Sequence, residues 1–345
     1  MSDGKADVSI IMPTFNSARY LKLAIESVLA QSLCDYDFII ADNGSSDETV
    51  SIVRQYCDGR IRLYENEANL GIFGNLNRLT SLSKNDLIKI CCADDVFEPN
   101  CLERQVWFMK QHPELAFSRC LEVGDVRPGV DDGLPEVIYP RASPLAFYTF
   151  GCIPGNVSNV IFRKLMIEAA GGFCKDKDLP YAGDFETWTR VARLYPFGIQ
   201  KECLTQIRSH PGQASAVLAK SGALIPQINY VVNALYHHLN AEQHLSFKLR
   251  FLLKYHGSVN YAVQQIHWVV RALFQKDWRA VRPLMNSTRS FAFPLVVCFC
   301  LYLLTLNRRI GSEFSYRILL KHLSNEAACW PEPAASRPAL TSEEL

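Results

Sequence analysis

The chain has no Cys-x-x-Cys spacing among its 12 cysteines, no unbroken apolar run of twenty residues, and no basic, apolar leader at its start. Each absence removes a class of protein. The nearest cysteine approaches are the adjacent Cys91–Cys92 and the Cys298-x-Cys300 pair, and neither has the spacing of a zinc site. Scattered thiols of this kind read as small buried side chains in a reducing compartment. The opening MSDGKADVSIIMP is polar and acidic before turning into a strand pattern, unlike a secretory signal, which points to the cytoplasm. The uncharged, strongly apolar run FAFPLVVCFCLYLLTL at 291–306 stops at 16 residues and contains Pro294. A spanning helix needs roughly 20.

Acidic residues are also scarce in one region. Residues 1–200 carry a net charge of −7, residues 201–325 a net of +11, and residues 326–345 a net of −3, within a total of +1. An acidic first part joined to a basic second part implies that the two face different partners. The apolar fraction of 48% and charged fraction of 21% are those of a core-forming globular chain. At 345 residues there is room for one large domain with an appendage, or for two modest domains.

The first hundred residues alternate strand and helix signals. VSIIMP (8–13), DFIIA (37–41), IRLYEN (61–66) and LIKICCA (87–93) are short apolar runs that predict buried strands. Between them, Ala18, Leu21, Ala24, Ile25, Val28 and Leu29 recur at helical spacing behind a cap at Asn16 or Ser17. ETVSIVRQY follows a cap at Ser46 or Asp47, and NLGIFGNLNRLTSLS reads as a loop entering a helix. This alternation predicts an α/β fold with parallel strands and helices on both faces. From about 115 to 160 the pattern loosens. It returns as strand and helix in SNVIFRKLMIEAAGGF, then as a helix from about Phe185 to Leu194 with Asp184 at its start.

In sheets of this kind ligands gather at the carboxyl ends of the strands. That rule selects Pro13–Asn16, Asp42–Asp47, Asn66–Gly71 and Asp94–Asp95, four polar strand ends from four loops. The last is the most demanding. In KICCADDVFEP two adjacent carboxylates close an apolar strand, and like charges there require partners.

Taken in order, VSIIMPTFN, IIADNGSSDET, NLGIFGNLN, CCADDVFEP, AGDFETWTRVA and IRSHPGQAS resemble a family 2 glycosyltransferase of the GT-A fold, of the kind used in bacterial surface polysaccharides. The resemblance covers residues 8 to about 215. It implies a Rossmann-like, mostly parallel central sheet flanked by helices, and an inverting, nucleotide-sugar-dependent hexosyltransferase. By the family's pattern Asp95 is the ligand of Mg2+ or Mn2+ and Asp94 contacts ribose or sugar. The family's DxD motif reads Ala93-Asp94-Asp95 here, so its first acid is absent. Asp184 matches the second acid of the ED motif and is the expected base, while Gly183 stands where the glutamate often lies. Pro13, Thr14, Asn16, Asp42 and Asn43 match nucleotide-binding positions, and Asn43 leaves both uracil and thymine open. Asn69 and Gly71 are expected to shape the base or phosphate pocket, and Arg208 and His210 match an R-x-H element near the diphosphate. Glu186 and Arg190 follow on the helix as supports for the site.

The chemistry fits those residue types. Breaking a sugar–phosphate bond builds negative charge on the departing nucleoside diphosphate, which a cation held by carboxylates, or basic groups, can meet. Inversion needs one displacement with a base removing the acceptor proton. The expected partners are a UDP- or dTDP-sugar, a glycan or lipid-linked acceptor and the membrane surface, with no nucleic acid.

We expect a transferase domain over 1–220, a basic and aromatic helical region over 221–325, and a disordered tail over 326–345. The 291–306 run is open to three readings: a buried helix, a segment in the membrane interface, or a spanning helix. The surrounding bases favour the membrane surface through residues 222–325, and hence a peripheral protein on the inner face of the cell membrane. Two other functions compete: a degenerate carbohydrate-binding or scaffold protein, and a nucleotidyltransferase. The second would carry a glycine- and base-rich loop after the first strand, and PTFNSARYL is a poor match.

Overall fold

The computed structural model describes residues 8–124, 131, 133–213, 224–241 and 246–262, with short stretches and single positions between 269 and 321. The first half follows the hydrophobic pattern. Strands β1 (Val8–Thr14), β2 (Asp37–Asp42), β3 (Ile61–Glu65) and β4 (Leu87–Ile90) lie side by side, all parallel, in the order β3-β2-β1-β4. Helices α1 (Ala18–Leu29), α2 (Thr49–Val53) and α3 (Gly71–Leu82) make the crossovers. Strands buried on both faces have no polar side to alternate with, which is why VSII and DFIIA read as continuous runs. Leu21, Ala24, Ile25 and Val28 bury the inner stripe of α1.

Two boundaries differ by three residues from the expected ones. The fourth strand ends at Ile90 rather than 93, because the Cys92 amide turns away to the Ser158 hydroxyl and the Asp95 amide closes a turn on the Cys92 carbonyl. The second helix stops at Val53, after which Gln55 and Tyr56 bond three residues back in tightening turns.

Beyond residue 95 the sheet becomes mixed, although six of its nine described strands still run in one direction. The remaining elements are β5 (Val96–Phe97), α4 (Cys101–Gln111), β6 (Phe117–Glu122), β7 (Val137–Ile138), α5 (Ser143–Phe150), β8 (Val160–Arg163), α6 (Lys164–Ala169), α7 (Gly183–Ala192), β9 (Phe197–Gln206), α8 (Leu224–Ala241) and α9 (Phe247–Gly257). Strand β8 runs antiparallel to both β4 and β6, and the two-residue β5 and β7 lie antiparallel on β9, leaving β6 with β9 as the parallel pair. Helices still separate most of these strands in sequence, but the strands pair out of sequence order, with β8 inserted between β4 and β6, so alternation does not set their direction.

An aromatic cluster fixes α7 to this half. Trp188 is fully buried and packs against Phe117 and Phe173, with ring centroids 4.9 and 5.7 Å apart, and Phe117 stacks on Phe197. The C-terminal helices share the same core: Val231, Val232, Leu235 and Leu239 of α8 and Leu253 of α9 are buried with Phe147, Tyr148 and Val191. A turn of π-helix, Ser258–Ala262, continues α9. Phe291 and Ala292 are buried there too. The rest of the 291–306 run, except Phe293, Pro294 and Val297, lies outside the described residues, as does the tail from 326. Among the described residues no helix is long and apolar enough to cross a membrane.

The Tyr148 hydroxyl donates to the Leu253 carbonyl at 2.8 Å and joins α5 to α9. Removing it by Tyr148→Phe should cost about 1 kcal/mol locally. Amide exchange across 247–257 should then accelerate roughly fivefold. Unchanged exchange would show that this bond does not hold the C-terminal helices.

Candidate functional site

Because β1 to β4 are parallel, their carboxyl ends open on one edge, and the loops there line a cleft of about 1350 Å3. Its wall includes Pro13, Thr14, Asn16, Asn43, Asp94, Asp184 and His210. Seven of the residues expected at the site therefore meet in one cavity. Asp42, Asn69, Gly71, Asp95, Arg208, Glu186 and Arg190 are not among its lining residues, and each has protein contacts of its own.

Asp42 is buried and its carboxylate is occupied. One oxygen accepts the Thr14 hydroxyl (3.1 Å) and the Ser45 hydroxyl (2.5 Å), and the other accepts the Gly44 and Ser45 amides (3.1 and 2.8 Å). It orders the turn after β2. Asn43 spends its amide on Asn69 (2.9 Å) and the Gly71 carbonyl (3.3 Å), while its oxygen accepts from Asn66 and the Leu70 amide. Asn69 and Gly71 are thus partners of Asn43 in an amide network beneath the cleft. Asn16 has a positive φ of 48°, a conformation asparagine tolerates, and its side chain accepts the Ser46 amide at 2.9 Å. Asp47 bonds the Ala18 amide with one oxygen and the Thr49 amide with the other, holding the starts of both α1 and α2.

The paired carboxylates have distinct environments. Asp95 has no exposure to water; its oxygens accept the Ser158 hydroxyl (2.6 Å) and the Arg208 amide (3.2 Å). Burial, followed by the charge of Asp94, pushes its carboxyl up to about 7, against the pull of those two bonds. Asp94 faces the cleft and meets His210 Nε2 at 3.1 Å. Ala93 is buried in the core. The residue that shares space with the two acids is Cys92: its sulfur and one oxygen from each carboxylate lie within 4.8 Å of one another. These three donors suit a divalent cation, since two adjacent carboxylates need positive charge and a thiolate adds a third ligand.

Asp184 stands in the first turn of α7, held at the cleft by the burial of Phe185 and Trp188 behind it. Its oxygen accepts the Phe185 amide at 2.7 Å. Low-polarity surroundings raise its carboxyl to about 6 despite that bond. Gly183 has a packing reason: a Cβ there would fall 2.4 Å from the Phe73 ring and 2.9 Å from Cys174. No glutamate fits at that position in this packing. Glu186 and Arg190 point to the other side of α7, paired with each other at 2.7 Å, and Arg190 also donates to the carbonyls of Ala170 and Gly172.

Several cleft residues carried no sequence signal. Tyr20 on α1 is packed by His210 (centroids 4.7 Å apart) and by the Arg208 and Arg19 guanidiniums (5.4 and 5.0 Å from the ring centre), which collects positive charge beside Asp94. Glu122, Tyr181, Asn260 and Tyr261 complete the wall, the last two from the π-turn after α9. A helical period explains Tyr20 and a loosely patterned region hides Glu122. Nothing in the sequence places Asn260 in the cleft.

Residues 9–134 match the model of glycosyl transferase family 2. An uncharacterised glycosyltransferase of Methanocaldococcus jannaschii is 35% identical over 208 residues, 58% of this chain and 70% of that one. The UDP-Glc:α-D-GlcNAc-diphosphoundecaprenol β-1,3-glucosyltransferase WfgD of Escherichia coli is 34% identical over 102 residues, 30% of this chain and 40% of that protein. Across the curated relatives the matched share of the relative's length runs from 39% to 70%. Among solved structures, residues 1–349 of S. aureus TarS in complex with UDP-GlcNAc align with a TM-score of 0.60 at 14% identity, over 93% of this chain and 92% of that one. The mannosyltransferase PcManGT of Pyrobaculum calidifontis, in complex with GDP-Man and Mn2+, aligns with a TM-score of 0.52 at 15% identity, over 95% and 88%. At those identities the likeness is of the fold.

A raised carboxyl pKa destabilises the fold once the group ionises. For Asp184 the cost is absent below about pH 4 and develops as pH rises towards 6. Asp184→Asn should therefore be more stable than the parent at pH 7.5, by about 1–3 kcal/mol in chemical denaturation, and no more stable at pH 4. Equal stability at both pH values would mean that the carboxylate is well solvated.

Proposed function

The chain belongs to glycosyl transferase family 2, and from that premise we propose that it moves a sugar from a UDP- or dTDP-sugar to a hydroxyl of a lipid-linked glycan, with inversion at the anomeric carbon. The observation that carries this reading is the meeting of Asp184 with Asp94 and His210 on the wall of one cleft at the strands' carboxyl ends. The nucleoside diphosphate lies along Pro13–Asn16, beside Tyr20 and the bases packed on it. The relatives and neighbours named above that bind or use UDP-sugars support a uridine donor.

Asp184 takes the acceptor hydroxyl proton as its oxygen attacks the anomeric carbon from the face opposite the diphosphate. A carboxyl raised to about 6 is a better base than an ordinary one and is still largely ionised at pH 7.5. The bond to the sugar breaks in the same displacement, and its electron pair leaves with the diphosphate. Arg208 and Arg19 supply positive charge on that side, and His210 supplies a ring nitrogen for hydrogen bonding. Cys92, Asp94 and Asp95 are the residues that would hold Mg2+ or Mn2+, which would supply further positive charge to a departing diphosphate.

The lipid-linked acceptor is read from the E. coli relative's substrate and from the C-terminal surface. Helix α9 exposes Phe247 (84%) and Phe251 (54%) beside Lys248, Arg250 and Lys254, a composition suited to an anionic bilayer. Residues 222–325 then bring the cleft to the inner membrane surface as a peripheral region.

Turnover of a nucleotide-sugar panel with Mg2+ or Mn2+ and an undecaprenyl-diphosphate glycan tests the reading. UDP or dTDP should be released, and Asp184→Asn should lower kcat by about 10²–10⁴. The acid limb of kcat should rise through about pH 6. Nucleotide binding without release, on any acceptor, would mark a carbohydrate-binding protein instead. In vesicle flotation, Phe247→Ser with Phe251→Ser should lose binding to phosphatidylglycerol while turnover of a water-soluble acceptor continues. Undiminished flotation would remove the membrane from the account.

A further inference from the structure

The structure assigns Cys92 a place as the third protein ligand of the donor-site cation, which makes the site select Mn2+, Co2+ or Zn2+ over Mg2+. This rests on reading the cleft as a nucleotide-sugar site. The geometry separates Cys92 from its neighbours. Cys91 still bonds the Ile11 carbonyl through its amide, and its side chain is fully buried in the sheet core with Cys101 and Cys120. One residue later the chain has left the strand, which ends at Ile90, and Cys92 lines the cleft. Its amide is tied to the Ser158 hydroxyl at 2.9 Å, the hydroxyl that also holds Asp95 at 2.6 Å. One side chain therefore fixes the thiol and the carboxylate relative to each other.

The donor atoms are near enough to be drawn onto one ion. Cation–sulfur bonds of about 2.3 Å and cation–oxygen bonds of about 2.0–2.2 Å allow a sulfur and an oxygen on one ion to stand up to about 4.5 Å apart. The three donor atoms lie within 4.8 Å of one another, so small side-chain rotations bring all three into reach. Binding replaces the S–H bond by a sulfur–metal bond and releases the proton to solvent; no electron changes hands. Mg2+ prefers oxygen donors and holds its waters tightly, whereas a thiolate favours softer ions. A donor set of one sulfur and two carboxylate oxygens therefore shifts the preference away from Mg2+.

Co2+ added to the full-length protein is the direct probe. A sulfur-to-cobalt charge-transfer band should appear in the near ultraviolet and vanish in Cys92→Ser. That variant exchanges a soft donor for a hard one, so its Mg2+ affinity relative to Co2+ should rise by about tenfold. Such a gain cannot come from misfolding. In the parent protein, Co2+ should slow iodoacetamide labelling of Cys92, read by peptide mass spectrometry, while the exposed Cys34, Cys57 and Cys203 label at unchanged rates. Cobalt binding with ligand-field bands alone, a band that survives Cys92→Ser, or unprotected labelling of Cys92 would each overturn the assignment. Nucleotide release measured on the same samples reports separately on the glycosyltransferase reading: release with no role for Cys92 sinks only the ligand, and its absence with every cation sinks the donor site.

Discussion

The Asp95 carboxylate, sealed from water and gripped by the Ser158 hydroxyl and the Arg208 amide, is the constraint on which the cleft depends. A carboxylate so placed must be bonded or neutralised. Its partners come from the turn before β8 and from the loop after β9, segments 63 and 113 residues away in the chain. Meeting that requirement brings the second, mixed half of the sheet against the strand ends of the first. The same Ser158 oxygen turns Cys92 out of β4, and the same 207–210 loop delivers His210 to Asp94. One buried carboxyl thus fixes the relative positions of three groups that line the cleft.

Asp184 is held by a different means. Trp188 and Phe185 root α7 in the aromatic core, so the first turn has little freedom, and Gly183 lets that turn lie against Phe73. The two acidic centres are therefore built on independent supports, one polar and one apolar. The C-terminal helices add a third wall. Because α8 and α9 bury their apolar stripes in the core of the transferase fold, Asn260 and Tyr261 reach the cleft from a region whose charge and aromatics read as a surface appendage.

Much of this was legible before the structure. The parallel half of the sheet follows from four apolar runs separated by helical periods, and the rule that ligands gather at strand ends selects the loops at Thr14, Asn43 and Asp94. What the rule cannot see is whether a polar side chain faces the ligand or holds the loop. Asp42 and Asn69 sit at the expected positions, yet their bonds go to Ser45, Gly44 and Asn43. Cys92 reads as core because it continues a strand pattern, and only the strand's end at Ile90 and the turn at Ala93–Asp94 bring it to the cleft. The mixed half of the sheet was hidden for a related reason. Two-residue strands such as β5 and β7 are too short to carry a period, and their pairing with β9 is set by distant contacts.

The central claim is that Asp184 directs a single displacement on a sugar whose diphosphate lies against Asp94 and His210. The anomeric configuration of the product tests it most directly. With a UDP-α-sugar and a glycan acceptor, proton NMR of the purified product should show a β linkage. A product that retains the α configuration would contradict the account, since one displacement with Asp184 as base cannot yield it.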